Sequence, residues 1–562
     1  MSDSSWLGAS VYYSADGYST SGPKLMGRQA AGQGFLRAYV NAAQARNAMA
    51  SAWVTAHTSA AVKSAQFAFQ SAGLKSKLQV MTPMHLHGLR SSGCLYVPQP
   101  GLSDLAWQRL RVGENSYSLC GVTHTTASHA VMDTLADLPL SPLRPWDAVI
   151  CTSTSVRATV EQLIGSRMEF LRWKLGATKL ELPQLPVIPL GVHTQDFHST
   201  DQHKQAARHS LGIGPDDVVV LFVGRLSFHA KAHPHPMLQA LQNTVLECKK
   251  KVHLVQAGWF ANDAIESAFR EAAQVLAPDV THHFVDARLT EDRQNAWACA
   301  DIFCSFSDNI QETFGLTPIE AMAAGLPVVV SDWDGYKDTV RDGVDGFRVN
   351  TYMPKAGDGL DLAASYERGL DSYDMYCGKV CEFIAVDIEH ATQVFLSLVT
   401  DSHLRREMGE AGRLRAQQVF DWSVVMDQYI DLWAELAQLR SGSNSLSPQL
   451  ATPIKSAPSR PDPFGLFATY ASDVLDGAME VRLGGDITHE SYLRVIGLGI
   501  HKYAAATLPS WPQVQRIVER LGCESHSLDD LYGDLTLAAC TQLRRHLLWM
   551  IKVGWLSVIR RK

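Results

Sequence analysis

Two pairs of charged residues frame the chemistry this chain can do. In QETFGLTPIEAMAAGLPVVV (311–330), Glu312 and Glu320 stand on either side of a Phe-Gly-Leu-Thr turn, with seven residues between them. In LFVGRLSFHAKAHPHP (221–236), Gly224 closes an apolar run, and Arg225 and Lys231 follow in the next loop. Carboxylates accept hydrogen bonds from hydroxyl groups, and paired cations neutralise phosphate oxygens. The combination suits a ligand that is both anionic and rich in hydroxyls.

Each pair also has a plainer reading. Thr317 suits a helix N-cap, Pro318 the first helical position, and Glu320 the third position after the cap, so Glu320 could serve only as a capping-box acid. Gly325 and Pro327 would end that helix before a buried strand. Alternatively, Gly315, Leu316 and Thr317 present free amides at a helix N-terminus, which is an anion site. Arg225 and Lys231 could be ordinary solvated charges, but cations just past the C-terminal end of a strand lie where open α/β sheets bind ligands.

The elements that must hold these residues are legible as rhythm. Short β-rich runs recur at 11–14, 78–84, 117–124, 147–154 and 185–192, then again at 217–224, 251–258, 282–287, 300–306 and 326–332, separated by helix-length stretches. This predicts two α/β units in tandem, the first over residues 1–198 and the second over 199–420. A helical stretch over 404–439 follows, and residues 421–440 are read as a helix returning to the first unit. SGSNSLSPQLATPIKSAPSRPDP (441–463) has 11 Ser or Pro among 23 residues and reads as a linker. Residues 464–562 carry helical spacing and are expected to form a small, mainly α domain.

The segments FVGRLSFHAK, E-TFGLTPI-E and LPVVVSDWDGYKDTVRDGVDGFRV (326–349) resemble the retaining family-4 glycosyltransferases of the GT-B fold. The resemblance covers about residues 5–440, is dense from 185 to 349, and does not reach the tail. It implies two Rossmann-like domains facing across a cleft, the first on the acceptor side and the second binding a nucleotide-diphosphate sugar. It also implies sugar transfer to a hydroxyl acceptor with retention, in polysaccharide or glycoconjugate synthesis, with no metal and no cofactor beyond the donor. Carried over by position, Arg225 and Lys231 grip the donor diphosphate, Glu312 contacts the transferred sugar, and Glu320 accepts from the ribose hydroxyls. Gly224, Phe314, Gly315, Leu316 and Thr317 complete the donor contacts. SGPKLMGRQAAGQGFLRAYV (21–40) resembles the glycine loop near the donor phosphate, with Gly27 its best candidate and Met26 standing where many members have a second glycine. His124, in GVTHTTAS (121–128), resembles the histidine facing the donor sugar, although an isolated histidine is as readily structural.

Other constellations point elsewhere only weakly. His229, His233 and His235 have a metal-like spacing but sit among prolines in the phosphate loop. His85 and His87 follow the 78–84 run and could face the cleft. Asp332-Trp333-Asp334 spells an Asp-x-Asp, which belongs to metal-dependent enzymes of another fold. The readings kept open beside transfer are a noncatalytic scaffold or sensor on the same architecture, and a sugar-nucleotide epimerase or phosphorylase.

Composition bounds the rest. The chain has 562 residues, 46% hydrophobic and 19% charged, with 50 Lys+Arg against 57 Asp+Glu and a net charge of −7. No positive field favours nucleic acid. The start lacks an apolar leader and no run of 18 apolar residues occurs, so a cytoplasmic protein is expected. The ten cysteines are expected to be reduced and mostly buried. The end is locally basic: Arg544, Arg545, Lys552, Arg560, Arg561 and Lys562 occur with no acid over 543–562. Residues 544–562 therefore read either as a core helix with solvated ends or as a segment making peripheral membrane contact.

Overall fold

The computed structural model describes residues 7–18, 27–55, 58–442, 457–477 and 479–559. The chain divides into two compact units, residues 1–457 and 458–562.

The first unit holds two parallel six-stranded sheets. One contains β1 (Ser10–Tyr13), β2 (Ser51–Val54), β3 (Gln79–Met81), β4 (Cys94–Val97), β5 (Ser118–Val122) and β6 (Ala148–Ile150), in the order β3-β2-β1-β4-β5-β6. The other contains β7 (Val218–Val223), β8 (Val252–Gly258), β9 (Thr281–Asp286), β10 (Ile302–Ser305), β11 (Val328–Ser331) and β12 (Gly346–Val349), in the order β12-β11-β10-β7-β8-β9. Both orders reverse direction at the first strand, which opens a ligand crevice at the carboxyl ends of the strands. The fold class is the expected one, with two Rossmann-like parallel sheets.

The central strands are continuous apolar runs because both faces are covered by helices; β7 is buried along its whole length. The helix Trp422–Gly442 packs on the helix Gly27–Ala45 and on β5, burying Trp422, Tyr429 and Trp433 against the first sheet. Between β13 (Thr351–Tyr352) and β14 (Ala385–Val386), an antiparallel pair, the chain makes an excursion carrying the helices Leu360–Glu367 and Tyr373–Cys381.

Three differences from the sequence reading have physical causes. The run 185–192 is not a strand of the sheet. It lies beside β6 through isolated bridges, because Pro183, Pro186 and Pro189 remove ladder donors at every third position. The strands SAWV (51–54) and CLYV (94–97) complete the first sheet at positions where the sequence reading places no strand. The third difference is a small amount of sheet in the C-terminal unit.

That unit is mainly helical, as expected, but includes the sheet β16-β15-β17, formed by β15 (Glu480–Leu483), β16 (His526–Ser527) and β17 (Leu556–Ile559). Its core gathers Val481, Val514, Leu521, Leu528, Leu547, Met550 and Leu556. Residues 544–559 of the basic tail belong to this unit's fold. Residues 544–552 finish the helix Leu537–Lys552, β17 follows, and Arg544 donates to the Tyr532 hydroxyl at 2.8 Å. Leu547, Trp549, Met550 and Leu556 are buried in this core, while Leu548 is exposed, and membrane contact through this tail is unsupported. Residues 560–562 and linker residues 443–456 lie outside the described residues.

All ten cysteines are free, seven of them buried. No described helix is long and apolar enough to cross a membrane.

Candidate active site

The site is assembled where the carboxyl ends of the two sheets meet. β7 delivers Gly224 and Arg225, and the following loop brings Lys231 back toward the strand end. β10 leads into residues 306–315. The two loops are laced together: Asn309 Nδ2 donates to the His229 carbonyl at 3.1 Å, Gln311 Nε2 to the Ala230 carbonyl at 3.1 Å, and Ser307 Oγ to the Lys231 carbonyl at 3.4 Å. Arg225 Nη2 donates to the same Ala230 carbonyl at 2.9 Å and has no acidic partner among the described residues. Its charge is left for a ligand.

Lys231 forms an ion pair with Glu312. Burial by itself pushes the Glu312 carboxyl up, but the Lys231 ammonium and the amides of Thr313 and Phe314 outweigh it and hold the group below its ordinary value. Glu312 is therefore ionised. Glu320 differs: burial pushes it up to about 7, with Arg293 and Lys231 offsetting only part of that rise. No described side chain hydrogen-bonds to Glu320, so its oxygens are left available.

The helix begins two residues earlier than a capping box would require. It spans Leu316–Ala324, its N-cap is Gly315 at φ 86°, and no side chain caps it. Thr317 lies inside the first turn with its hydroxyl buried and unpartnered among the described residues. The expectation of a Thr317 cap with Glu320 as its box acid is therefore wrong. The tight turn wins because a Cβ on residue 315 would lie 2.0 Å from Tyr336 Cε1, so only glycine fits there and the chain can enter the helix directly. Leu316 and Thr317 consequently offer amides without intrahelical acceptors.

The first sheet's loops close the site from the other side. His124, just beyond β5, accepts at its carbonyl from Thr313 Oγ1 at 3.0 Å, and Thr152 Oγ1 donates to the Thr313 carbonyl at 3.4 Å. His124 thus lies beside Glu312, although 188 residues separate them in sequence. Phe314 is 1% exposed, and its ring packs edge-on to Phe420. Gly27 opens the helix Gly27–Ala45 with nothing within 4 Å of an added Cβ; residues 19–26 of its loop, including Gly22 and Met26, lie outside the described residues.

Two residues that the sequence reading did not place in the site are drawn in. Arg293, on the helix Thr290–Cys299, faces Glu320. Asp334 takes a left-handed φ of 41°, and burial together with the Glu312 charge pushes its carboxyl up to about 8; Ser153 Oγ donates to it at 3.2 Å. Asp332 is paired with Arg348, so the two aspartates do not form a metal site. His233 approaches Glu382 instead of His229. Among the described residues no group of three His, Cys, Asp or Glu side chains could hold a metal ion.

Residues 217–364 match the family described as Glycosyl transferases group 1. A phosphatidyl-myo-inositol mannosyltransferase of Mycobacterium leprae is 27% identical over 344 residues, 61% of this chain and 73% of that protein. A D-inositol 3-phosphate glycosyltransferase of Geodermatophilus obscurus is 33% identical over 173 residues, which is 30% of this chain and 37% of its own length. Among solved structures, Anabaena HepE in complex with UDP and glucose aligns over 76% of this chain and 99% of its own at 15% identity, with a TM-score of 0.46. The segment matched by the family contains Arg225, Lys231, Glu312 and Glu320.

Proposed function

We propose that this chain, whose residues 217–364 match the group 1 glycosyl transferases, transfers a sugar from a nucleotide-diphosphate sugar to a hydroxyl acceptor with retention of anomeric configuration. The observation that carries the reading is the Lys231 and Glu312 pair at the converging strand ends, with Arg225 unpaired beside it and the first-turn amides of 316 and 317 facing the same crevice.

Transfer breaks the bond between the anomeric carbon and the diphosphate oxygen, and the electron pair leaves on the phosphate. Arg225, Lys231 and the helix-end amides stabilise that charge as it develops, and one such contact in a dry site is worth about 3 kcal/mol. An arriving diphosphate draws Lys231 from Glu312, which leaves the Glu312 carboxylate free for a sugar hydroxyl. Glu320 accepts from the ribose hydroxyls, and His124 faces the transferred sugar. The acceptor oxygen bonds to the anomeric carbon on the face the leaving group vacates, passing its proton to a departing phosphate oxygen. No metal is required, because the fixed cations supply the neutralisation. A role in glycoconjugate or polysaccharide synthesis in the cytoplasm fits ten unpaired cysteines.

The test is nucleotide diphosphate release from a panel of UDP-, GDP- and ADP-sugars in the presence of EDTA, with the product anomer read by proton NMR. Lys231→Ala is expected to lower turnover about 100-fold. Near wild-type turnover in both Lys231→Ala and Glu320→Ala would overturn the site, and an inverted anomer would overturn retention.

A further inference from the structure

The first sheet carries a second feature that the donor site does not use. At the carboxyl ends of β1 to β4 lies an open groove of about 1080 Å³. One wall is the helix Ser103–Arg109 and the turn after it, where Asp104, Trp107, Gln108 and Arg111 fall at helical spacing on one face. The opposite wall is the helix His129–Ala136, which contributes Asp133 and directly follows the loop carrying His124.

The groove is held in place from beneath. Arg109 is fully buried and pairs with Asp147, which also accepts from the Leu119 amide at 2.8 Å. This ties the helix Ser103–Arg109 to β5 and β6 and fixes the face it presents.

Three charged side chains of the groove are uncommitted, while its hydroxyls at Ser103, Thr134 and Ser141 bond to neighbours. Asp104, Asp133 and Arg111 make no ion pair or hydrogen bond among the described residues, whereas Asp137, also at the wall, is bound by Arg167. Two free carboxylates beside one guanidinium and a half-buried indole accept hydroxyl hydrogen bonds and offer a flat apolar face. The same carboxylates repel phosphate and sulfate.

We propose that this groove is the acceptor site and that it selects a neutral saccharide, with Trp107 as the platform and Asp104 and Asp133 as hydroxyl acceptors; this rests on the glycosyltransferase reading. Its position supports this, since the helix bearing Asp133 begins beside His124.

Saturation-transfer NMR on the full chain tests it, using a mixture of neutral mono- to tetrasaccharides and a matched set bearing phosphate. The expected result is transfer to neutral sugars, weakened at least tenfold in Trp107→Ala and in the double variant Asp104→Asn with Asp133→Asn, and largely restored in Trp107→Phe. Binding confined to the phosphorylated set, no binding at all, or signals unchanged in Trp107→Ala would overturn the proposal. Saccharide binding without turnover of any nucleotide sugar would leave the groove standing and remove the transferase reading; turnover without saccharide binding would do the reverse.

Discussion

Glu320 and Glu312 share one turn and one pair of nearby cations yet differ in ionisation. Glu312 has Lys231 and two amides on its carboxylate, whereas Glu320 is buried without a hydrogen-bond donor and rises to about 7. If ionised Glu320 accepts from the donor ribose, the donor KM should fall as pH rises from 6 to 8, and the profile should be flat in Glu320→Gln. Steady-state kinetics across that range checks this. Stability should move the other way. A carboxyl whose folded value is raised destabilises the fold above that value, so Glu320→Gln without ligand should raise the Tm at pH 8, by about 1 kcal/mol of stability. These residue types and their spacing were visible in the sequence. The unequal ionisation was not, because it depends on which donors surround each carboxylate.

At the scale of elements, the turn 312–316 and the edge of the second sheet carry opposite burdens. The turn is tuned for function and tolerates no side chain at 315: Gly315→Ala should cost about 2–4 kcal/mol, read as a lowered Tm with matching loss of turnover. The sequence motif marked this turn as important but misplaced the start of its helix, since the contact with Tyr336 that excludes a Cβ comes from 21 residues downstream. At the other end of the sheet, His253 Nε2 donates to Asp217 and its Nδ1 meets His283 Nε2 at 2.9 Å. Burial lowers both histidines, with Lys251 adding to the effect and Asp217 partly offsetting it at His253; Asp217 itself, raised by burial but bound by Gly214, His253 and Lys251, lies at about 2. Neutral imidazoles are thus favoured by folding. Their contribution is complete above the unfolded value of about 6.5 and declines as pH falls through it, while Asp217 contributes unchanged until far lower pH. Thermal melts from pH 8 to 5 should show this decline, and His283→Asn should flatten it.

At the scale of the molecule, the excursion between β13 and β14 links the two halves of the first unit. Tyr366 stacks on His129 with ring centroids 3.7 Å apart and accepts from the His129 amide at its hydroxyl, and Tyr373 meets Thr125 at 3.1 Å. On its other side, a Cβ on Gly378 would lie 2.8 Å from His229 Cβ, so the helix Tyr373–Cys381 packs closely on the phosphate loop. One segment therefore touches both the cation loop and the start of the helix that follows His124. Tyr366→Ala should free that connection, with hydrogen exchange at residues 125–131 rising at least tenfold. Unchanged exchange there would mean the stack holds nothing together. Nothing in the spacing of 353–384 announced this role, because its partners at Thr125, His129 and His229 are remote in the chain.

The sequence by itself determined the class of fold and which charged residues stand near the strand ends. Apolar runs long enough to be buried on both faces are the mark of parallel sheets, and the Arg225, Lys231, Glu312 and Glu320 set shows two cations and two carboxylates at the ends of such runs. Tertiary structure decided what depends on neighbours remote in the chain: the Gly315 helix start against Tyr336, the raised carboxyl of Asp334, the paths of 51–54, 94–97 and 185–192, and the packing of residues 547–556 into the C-terminal unit. Local pattern records what a segment prefers. Burial and partner choice are set by everything else that packs on it, and these alone hold Glu312 below its ordinary value while raising Glu320 eight residues away.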